Sequence, residues 1–250
     1  MRRMITALIA IVLLSAWGAS AAQVDVDAIL RTLDKQSTFP STDFSAKMTI
    51  VTEDPNKGIE KQVVTFFRRD KDEKYLLLVQ EPKIQKGQGY LLLGDSLWFY
   101  DPESRNFTHT SLKENFQGTD AKNSDFSARS YAEDYQAVSV DEGKLGNYSV
   151  YIIELEATNN EVTYPYLKLW VSKSPLLVLK AEEYSLSKRL LRTSLFPQYV
   201  KVADAFIPQS MIFTDALVAG KKTTITLSDI SLTQLSDSVF TKSFIERANR

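Results

Sequence analysis

The chain has 250 residues, with 30 Lys+Arg against 31 Asp+Glu, one His and no Cys. No disulfide, thiolate metal site or lipid-modified N-terminal cysteine is therefore possible, and the balanced charge lacks the basic surplus of a nucleic-acid binder. Gly is sparse and the charges are evenly scattered, which excludes a disordered chain, and the length suits one sizeable domain folding on its own apolar core.

Met1-Arg2-Arg3 gives a positive start, residues 5–17 are almost uninterruptedly apolar, and Ala19-Ser20-Ala21 has the small residues that a signal peptidase reads. As a helix the apolar run is roughly 20 Å long, short of the roughly 30 Å hydrocarbon core. Residues 1–21 therefore read as a cleavable export signal rather than an anchor, with Ala22 as the alternative cut. Residues 22–250 read as one exported, soluble domain, because no second stretch is long and apolar enough to span a bilayer.

Asp25 is placed to cap a short helix in which Val26, Ile29, Leu30 and Leu33 share one face. Phe39-Pro40 ends it. Beyond Pro40, Phe44, Ala46, Met48 and Ile50 alternate with polar residues, the period of a strand. Further strands are predicted over 62–69, 75–80, 89–93, 96–100 and 105–110, with Asp54-Pro55-Asn56-Lys57-Gly58, Gly94-Asp95 and Asp101-Pro102 as turns. Residues 111–123 break this rhythm. Ser124 or Asp125 is the expected cap of a second helix carrying Ala128, Tyr131, Ala132 and Tyr135 on one face. Strands resume over 138–142, 148–157, 166–171, 176–185, 190–202, 206–214 and 221–232, and the tail over 237–248 is a last helical turn or two. The spacing is that of an antiparallel meander in a single domain.

Several of these strands do not alternate. Tyr75 to Val79, Tyr90 to Leu93, Leu97 to Tyr100 and Leu176 to Leu179 are apolar on both faces, whereas a sheet with one wet face alternates. Each large apolar side chain left in water forfeits about 1.5–3 kcal/mol, so half a dozen rival the whole stability of a domain, about 5–15 kcal/mol. With few helices for cover, the sheet is expected to curl round its own apolar face, to enclose a hydrophobic ligand, or both. A filled barrel or sandwich core uses the same residues.

The segment Lys86-Gly87-Gln88-Gly89-Tyr90-Leu91-Leu92, then Asp95-Ser96-Leu97-Trp98-Phe99-Tyr100-Asp101-Pro102, resembles the outer-membrane lipoprotein-sorting proteins, the LolA-like family, as do Asn115-Phe116-Gln117-Gly118-Thr119-Asp120 and Asp237-Ser238-Val239-Phe240. The resemblance implies a mainly β fold, an incomplete curled antiparallel barrel with short α-helices as a lid. It also implies a periplasmic carrier that sequesters lipoprotein acyl chains or other lipids, with an inner-membrane transporter and an outer-membrane acceptor as partners and no cofactor. The chain departs from the family pattern at Ala121 to Ser124 and at Glu133-Asp134. A non-catalytic accessory or sensor module of a membrane transporter or signalling complex is the alternative.

Candidate cavity residues are Phe66, Leu77, Leu92, Trp98, Tyr100 and Leu169, with Tyr131 as a lid residue; ordinary core packing is the alternative for each. Arg68, Arg69 and Lys74 are candidates for a docking rim, with a solvated turn as the alternative. His109, flanked by Thr108 and Thr110, lacks the partners of a hydrolytic or zinc site and reads as a surface residue. Asp120, Asp125, Glu133 and Asp134 carry no catalytic spacing and read as a solvated loop and helix face. Gly87, Gly89 and Gly94 form no phosphate cradle, since no helix follows them. No catalytic or metal residue is assigned.

Overall fold

The computed structural model describes residues 24–248, so the expected signal over 1–21 lies outside the described residues. Helix α1 (Val26–Ser37) begins where Asp25 accepts the Ala28 N–H at 2.9 Å and buries Ile29, Leu30 and Leu33. Asp27 in its first turn and Lys35 in its last complement the helix dipole. An antiparallel meander follows: β1 (Phe44–Asp54), β2 (Gly58–Arg69), β3 (Lys74–Glu81), β4 (Gly89–Leu93), β5 (Ser96–Asp101) and β6 (Asn106–Thr110). Gly94, at φ 57°, supplies the left-handed residue that the two-residue β4–β5 turn requires.

The connecting segment contains 3-10 turns at Phe116–Gly118 and Asn123–Phe126 and the one-turn helix α2 (Tyr131–Asp134). The second meander is β7 (Tyr135–Leu145), β8 (Tyr148–Ala157), β9 (Tyr166–Ser172), β10 (Val178–Tyr184), β11 (Leu190–Val202), β12 (Ala205–Asp215) and β13 (Lys222–Ser231), followed by a 3-10 turn at Asp237–Phe240 and α3 (Lys242–Ala248). Pairing of β13 with β1 joins both meanders into one 13-stranded sheet in the order β6-β5-β4-β3-β2-β1-β13-β12-β11-β10-β9-β8-β7. Every neighbour is antiparallel, and the sheet curls without closing, its two end strands being β6 and β7. A register shift sits between Leu195 and Gln198, where Pro197 has no N–H to give the ladder. No helix among the described residues is long and apolar enough to cross a membrane.

The strands that are apolar on both faces find cover within the chain. On the concave side, Tyr75, Leu77, Val79, Tyr90, Leu92 and Leu97 pack beneath Phe116, Ala121 and Phe126 of the connecting segment. On the convex side, Leu76, Leu78, Leu91 and Tyr100 pack beneath Val239, Phe244 and Ile245 of the C-terminal segment. Gly89 is needed for this fit: a Cβ there would lie 3.1 Å from the Ile245 Cγ2. The C-terminal segment is fastened by Arg69, which donates to both Asp43 carboxylate oxygens (2.9 and 2.8 Å), to the Leu235 carbonyl (2.7 Å) and to Asp237. Ile245→Ala is expected to cost about 2–5 kcal/mol, the loss for a fully buried large aliphatic, measured by urea unfolding with tryptophan fluorescence.

Three expectations need correction. The second helix does not run through Ala128 and Tyr135: only Tyr131–Asp134 is α-helical, and Tyr135 opens β7. Asp125 turns inward to Arg192 instead of capping a long helix, and the first N–H groups of α2, those of Tyr131 and Ala132, donate to Asp34 of α1, both at 2.8 Å. Leu176 and Leu177 precede β10, which alternates only from Lys180 onward, after a register shift between Val178 and Lys180. Asp120 and Asp125 are not solvated, because each is buried against a basic partner, Lys221 at 3.0 Å for Asp120 and Arg192 for Asp125.

Candidate functional site

Strand alternation and curl deliver two apolar clusters to the concave face. One belongs to β1–β5, β12 and β13; the other is formed by β8–β11 with α1, Tyr131 and Tyr164. Met211 packs against both. Between them lies a cavity of about 110 Å³, walled mainly by Phe44, Phe66, Phe126, Phe196, Met211 and Phe213. Its covering side is the end of α1, through Gln36, Ser37 and Phe39.

A second cavity of about 660 Å³, ringed by charged residues, adjoins it beneath α1 and α2, with Arg31, Asp34, Lys74 and Glu133 in its walls. Arg68, Ser127 and Arg129 line both spaces and so form the partition between them. Arg68 is mostly buried, its side chain 13% exposed. Its Nε pairs with Asp70 at 2.7 Å, and its Nη2 donates to the Ser37 carbonyl at 2.7 Å. Asp70 accepts the Phe39 N–H at 2.7 Å, and the guanidinium carbon stands 5.5 Å from the ring centroids of both Phe39 and Phe44. The end of α1 is thereby held to β2 by charge-assisted bonds at the mouth of the apolar cavity. Burial lowers the Arg68 pKa, and Asp70 opposes this.

The connecting segment over the concave face is anchored by Arg192 of β11. Arg192 donates to Asp125, to Glu183 Oε1 at 3.0 Å and to the Asp120 carbonyl at 3.0 Å; Ser194 donates to the same Glu183 oxygen at 2.7 Å. Thr223 donates to Asp120 at 2.9 Å. Burial works against the charge on Asp125, but Arg192 and Arg129 outweigh it and hold its pKa down to about 2. Burial raises the pKa of Glu183 against the pull of Arg192.

Of the residues singled out in the sequence, Phe66 lines the apolar cavity. Leu77 and Leu92 share its face and cluster, Leu92 in the wall of the larger cavity rather than the apolar one, and Leu169 lies in the second cluster. Tyr131 is buried in that second cluster, close under α1. Trp98 and Tyr100 do not join them. The register pairs Trp98 with Leu91 and Tyr100 with Gly89, which puts both on the convex face beneath α3. The ring of His109 stacks on Trp98 at 3.6 Å on the exposed end strand, and no cluster of metal-binding side chains occurs among the described residues. Of the candidate rim residues, Arg68 lies at the cavity mouth and Lys74 in the wall of the larger cavity, whereas Arg69 holds the C-terminal segment on the other face. Sequence reasoning missed Asp34, Arg129 and Arg192. The one available signal was an arginine at a position of β11 whose alternation faces the core.

A family model described as "Uncharacterized protein" matches residues 71–247. No curated protein sequence matches the chain. Among solved structures, the chain is similar to a LolA superfamily protein from Nitrosomonas europaea, with a TM-score of 0.77 and 27% identity over 89% of this chain and 100% of that one. It is similar also to a DUF1329 family protein from Desulfovibrio piger, with a TM-score of 0.80 and 22% identity over 88% and 97% of the two chains. A third structure, described as an outer membrane lipoprotein-sorting protein domain from Vibrio parahaemolyticus, has a TM-score of 0.78 and 21% identity over 88% and 98%. The latter two are alike in fold.

Proposed function

We propose that the chain is a non-catalytic periplasmic carrier that takes up the acyl chains of a lipoprotein or lipid, a reading supported by its likeness to the LolA superfamily protein of Nitrosomonas europaea. In this reading residues 1–21 are the export signal, and a membrane transporter and an outer-membrane acceptor stand at the two ends of its route. The observation that carries the reading is the adjacency of an aromatic-walled apolar cavity and a charged vestibule, with Arg68 and Arg129 at their boundary. An amphiphile fits that order: acyl chain inward, anionic head group against the arginines.

At about 110 Å³ the apolar space admits only a few methylene groups. Uptake of a full chain therefore requires the end of α1 to swing away from β2, giving up the bond from Arg68 to the Ser37 carbonyl and that from the Phe39 N–H to Asp70. Each methylene moved out of water returns about 0.8 kcal/mol, so a long chain offsets the loss of that fastening and a short one does not. A carrier must also release its load, which a fastened but movable cover permits.

Organic-solvent extraction of the purified protein, followed by mass spectrometry, is expected to yield a bound lipid or acylated peptide. A fluorescent fatty acid should be displaced by long-chain but not short-chain competitors. A protein that carries no extractable lipid and shows no displacement would remove this reading.

A further inference from the structure

Four of the seven exposed large apolar side chains among the described residues stand at one end of the sheet, in or beside four successive turns. Ile84 is 83% exposed in the β3–β4 loop, Ile59 76% at the β1–β2 turn, Leu217 50% in the β12–β13 turn and Leu186 77% in the β10–β11 turn. Antiparallel order makes these turns open at the same end, and contacts set them side by side. Gln62 donates to Gln85 at 2.9 Å, a Cβ on Gly220 would lie 3.2 Å from the Pro55 ring, and the Ala216 N–H donates to the Leu191 carbonyl at 2.9 Å.

Every one of these turns also carries two basic residues: Lys83 and Lys86, Lys57 and Lys61, Lys221 and Lys222, Lys188 and Arg189. Lys221 and Lys222 are paired, with Asp120 at 3.0 Å and Glu53 at 2.9 Å, and the Lys188 ammonium lies 4.8 Å over the Tyr166 ring. Lys57, Lys61, Lys83, Lys86 and Arg189 are exposed and form no ion pair among the described residues. The acids closest in sequence are Glu60 and Glu81, both exposed, and Asp54 and Asp215, which accept backbone N–H groups of their own turns.

We propose that this end of the sheet docks on an anionic lipid bilayer, the four aliphatic tips entering the boundary between head groups and acyl chains while the lysines and Arg189 meet lipid phosphates. The composition favours a membrane over a protein partner. Protein interfaces enrich Tyr, Trp and Arg and are poor in Lys. Single aliphatics among lysines, each at the tip of a turn, are what an interfacial surface with anionic lipid selects. The proposal goes beyond the carrier reading and does not depend on it.

The test is co-sedimentation of the purified protein with vesicles of phosphatidylcholine alone and of phosphatidylcholine mixed with phosphatidylglycerol. Binding to the anionic vesicles is expected to be about tenfold tighter or more, and to weaken as salt rises. One variant combines Ile59→Ser, Ile84→Ser, Leu186→Ser and Leu217→Ser; a second combines Lys57→Glu, Lys61→Glu, Lys83→Glu and Lys86→Glu. Each is expected to lower partitioning about tenfold or more, with an unchanged circular dichroism spectrum and unchanged fatty-acid displacement, since none of these residues lines the apolar cavity. Equal binding to both vesicle types, no binding, or variants that sediment like the parent would overturn the proposal. So would crosslinking that captures a stoichiometric protein at these turns in the absence of vesicle binding. Loss of fatty-acid displacement alone, with vesicle binding intact, counts against the carrier reading and leaves the docking surface standing.

Discussion

Arg192→Ala is expected to lower the unfolding free energy by about 3–5 kcal/mol, because removing one partner strands the other charges in the interior. Asp125 and Glu183 are both buried and both lose their main counter-charge. Arg129, at 3.2 Å from Asp125, has a side chain 34% exposed and is too well hydrated to take over. Urea unfolding across pH gives the signature. In the parent protein the Asp125 pKa falls from 3.8 to about 2 on folding, so its contribution is fully present above 3.8 and lost as pH drops through about 2. In the variant the stranded carboxylates have raised pKa values in the folded state, which then binds more protons than the unfolded chain. Its stability should rise as pH falls, the opposite slope. An Arg192→Ala protein as stable as its parent at neutral pH would show that the network is not an anchor.

The second large effect concerns the cover over the cavity. Arg68→Ala removes the charge-assisted bond to the Ser37 carbonyl and the pairing with Asp70. A hydrogen bond to a charged group contributes about 1.5–3 kcal/mol. The fraction of molecules with α1 released should therefore rise roughly 10- to 150-fold. Stopped-flow fluorescence should show faster fatty-acid entry, and hydrogen exchange should show lost protection confined to α1 and α2. Arg68→Lys should recover little, since an ammonium cannot reproduce the planar fork between two partners. If uptake and exchange match the parent in both variants, α1 is not the gate.

Much of the fold was legible because it rests on local rules. Alternation at Phe44, Ala46, Met48 and Ile50 marks the buried face of β1, and the Asp25 cap and the apolar spacing from Ile29 to Leu33 mark α1. Three of the four continuous apolar runs, those of β3, β4 and β5, are strands with cover on both sides, as their pattern demands; the fourth, at Leu176–Leu179, is only half in a strand. What supplied the convex cover was harder to see, since α3 is only seven residues long and its decisive contact is one isoleucine against Gly89. The same ambiguity misplaced Trp98 and Tyr100: in a strand apolar on both faces, period two states which residues share a side but not which side is concave. Of the seven candidates, Phe66 lines the apolar cavity and Leu92 the larger one beside it. The charged partition was illegible for a different reason. Arg68 with Asp70 and Asp125 with Arg129 are neighbours in sequence, but the bonds that make a partition of them, Arg68 to the Ser37 carbonyl and Arg192 to Asp125, span 31 and 67 positions and depend on long-range register.

That β6 and β7 remain unjoined has a mechanical consequence. In a closed cylinder the girth is fixed by a continuous ring of ladder bonds, and widening it means breaking one rung after another. Here the seam between the two end strands can part while all twelve interstrand ladders stay intact. The resistance to swelling then comes from side-chain packing rather than from ladder bonds. In the proposed carrier, a shell built this way is expected to stretch around contents of different bulk instead of selecting one size.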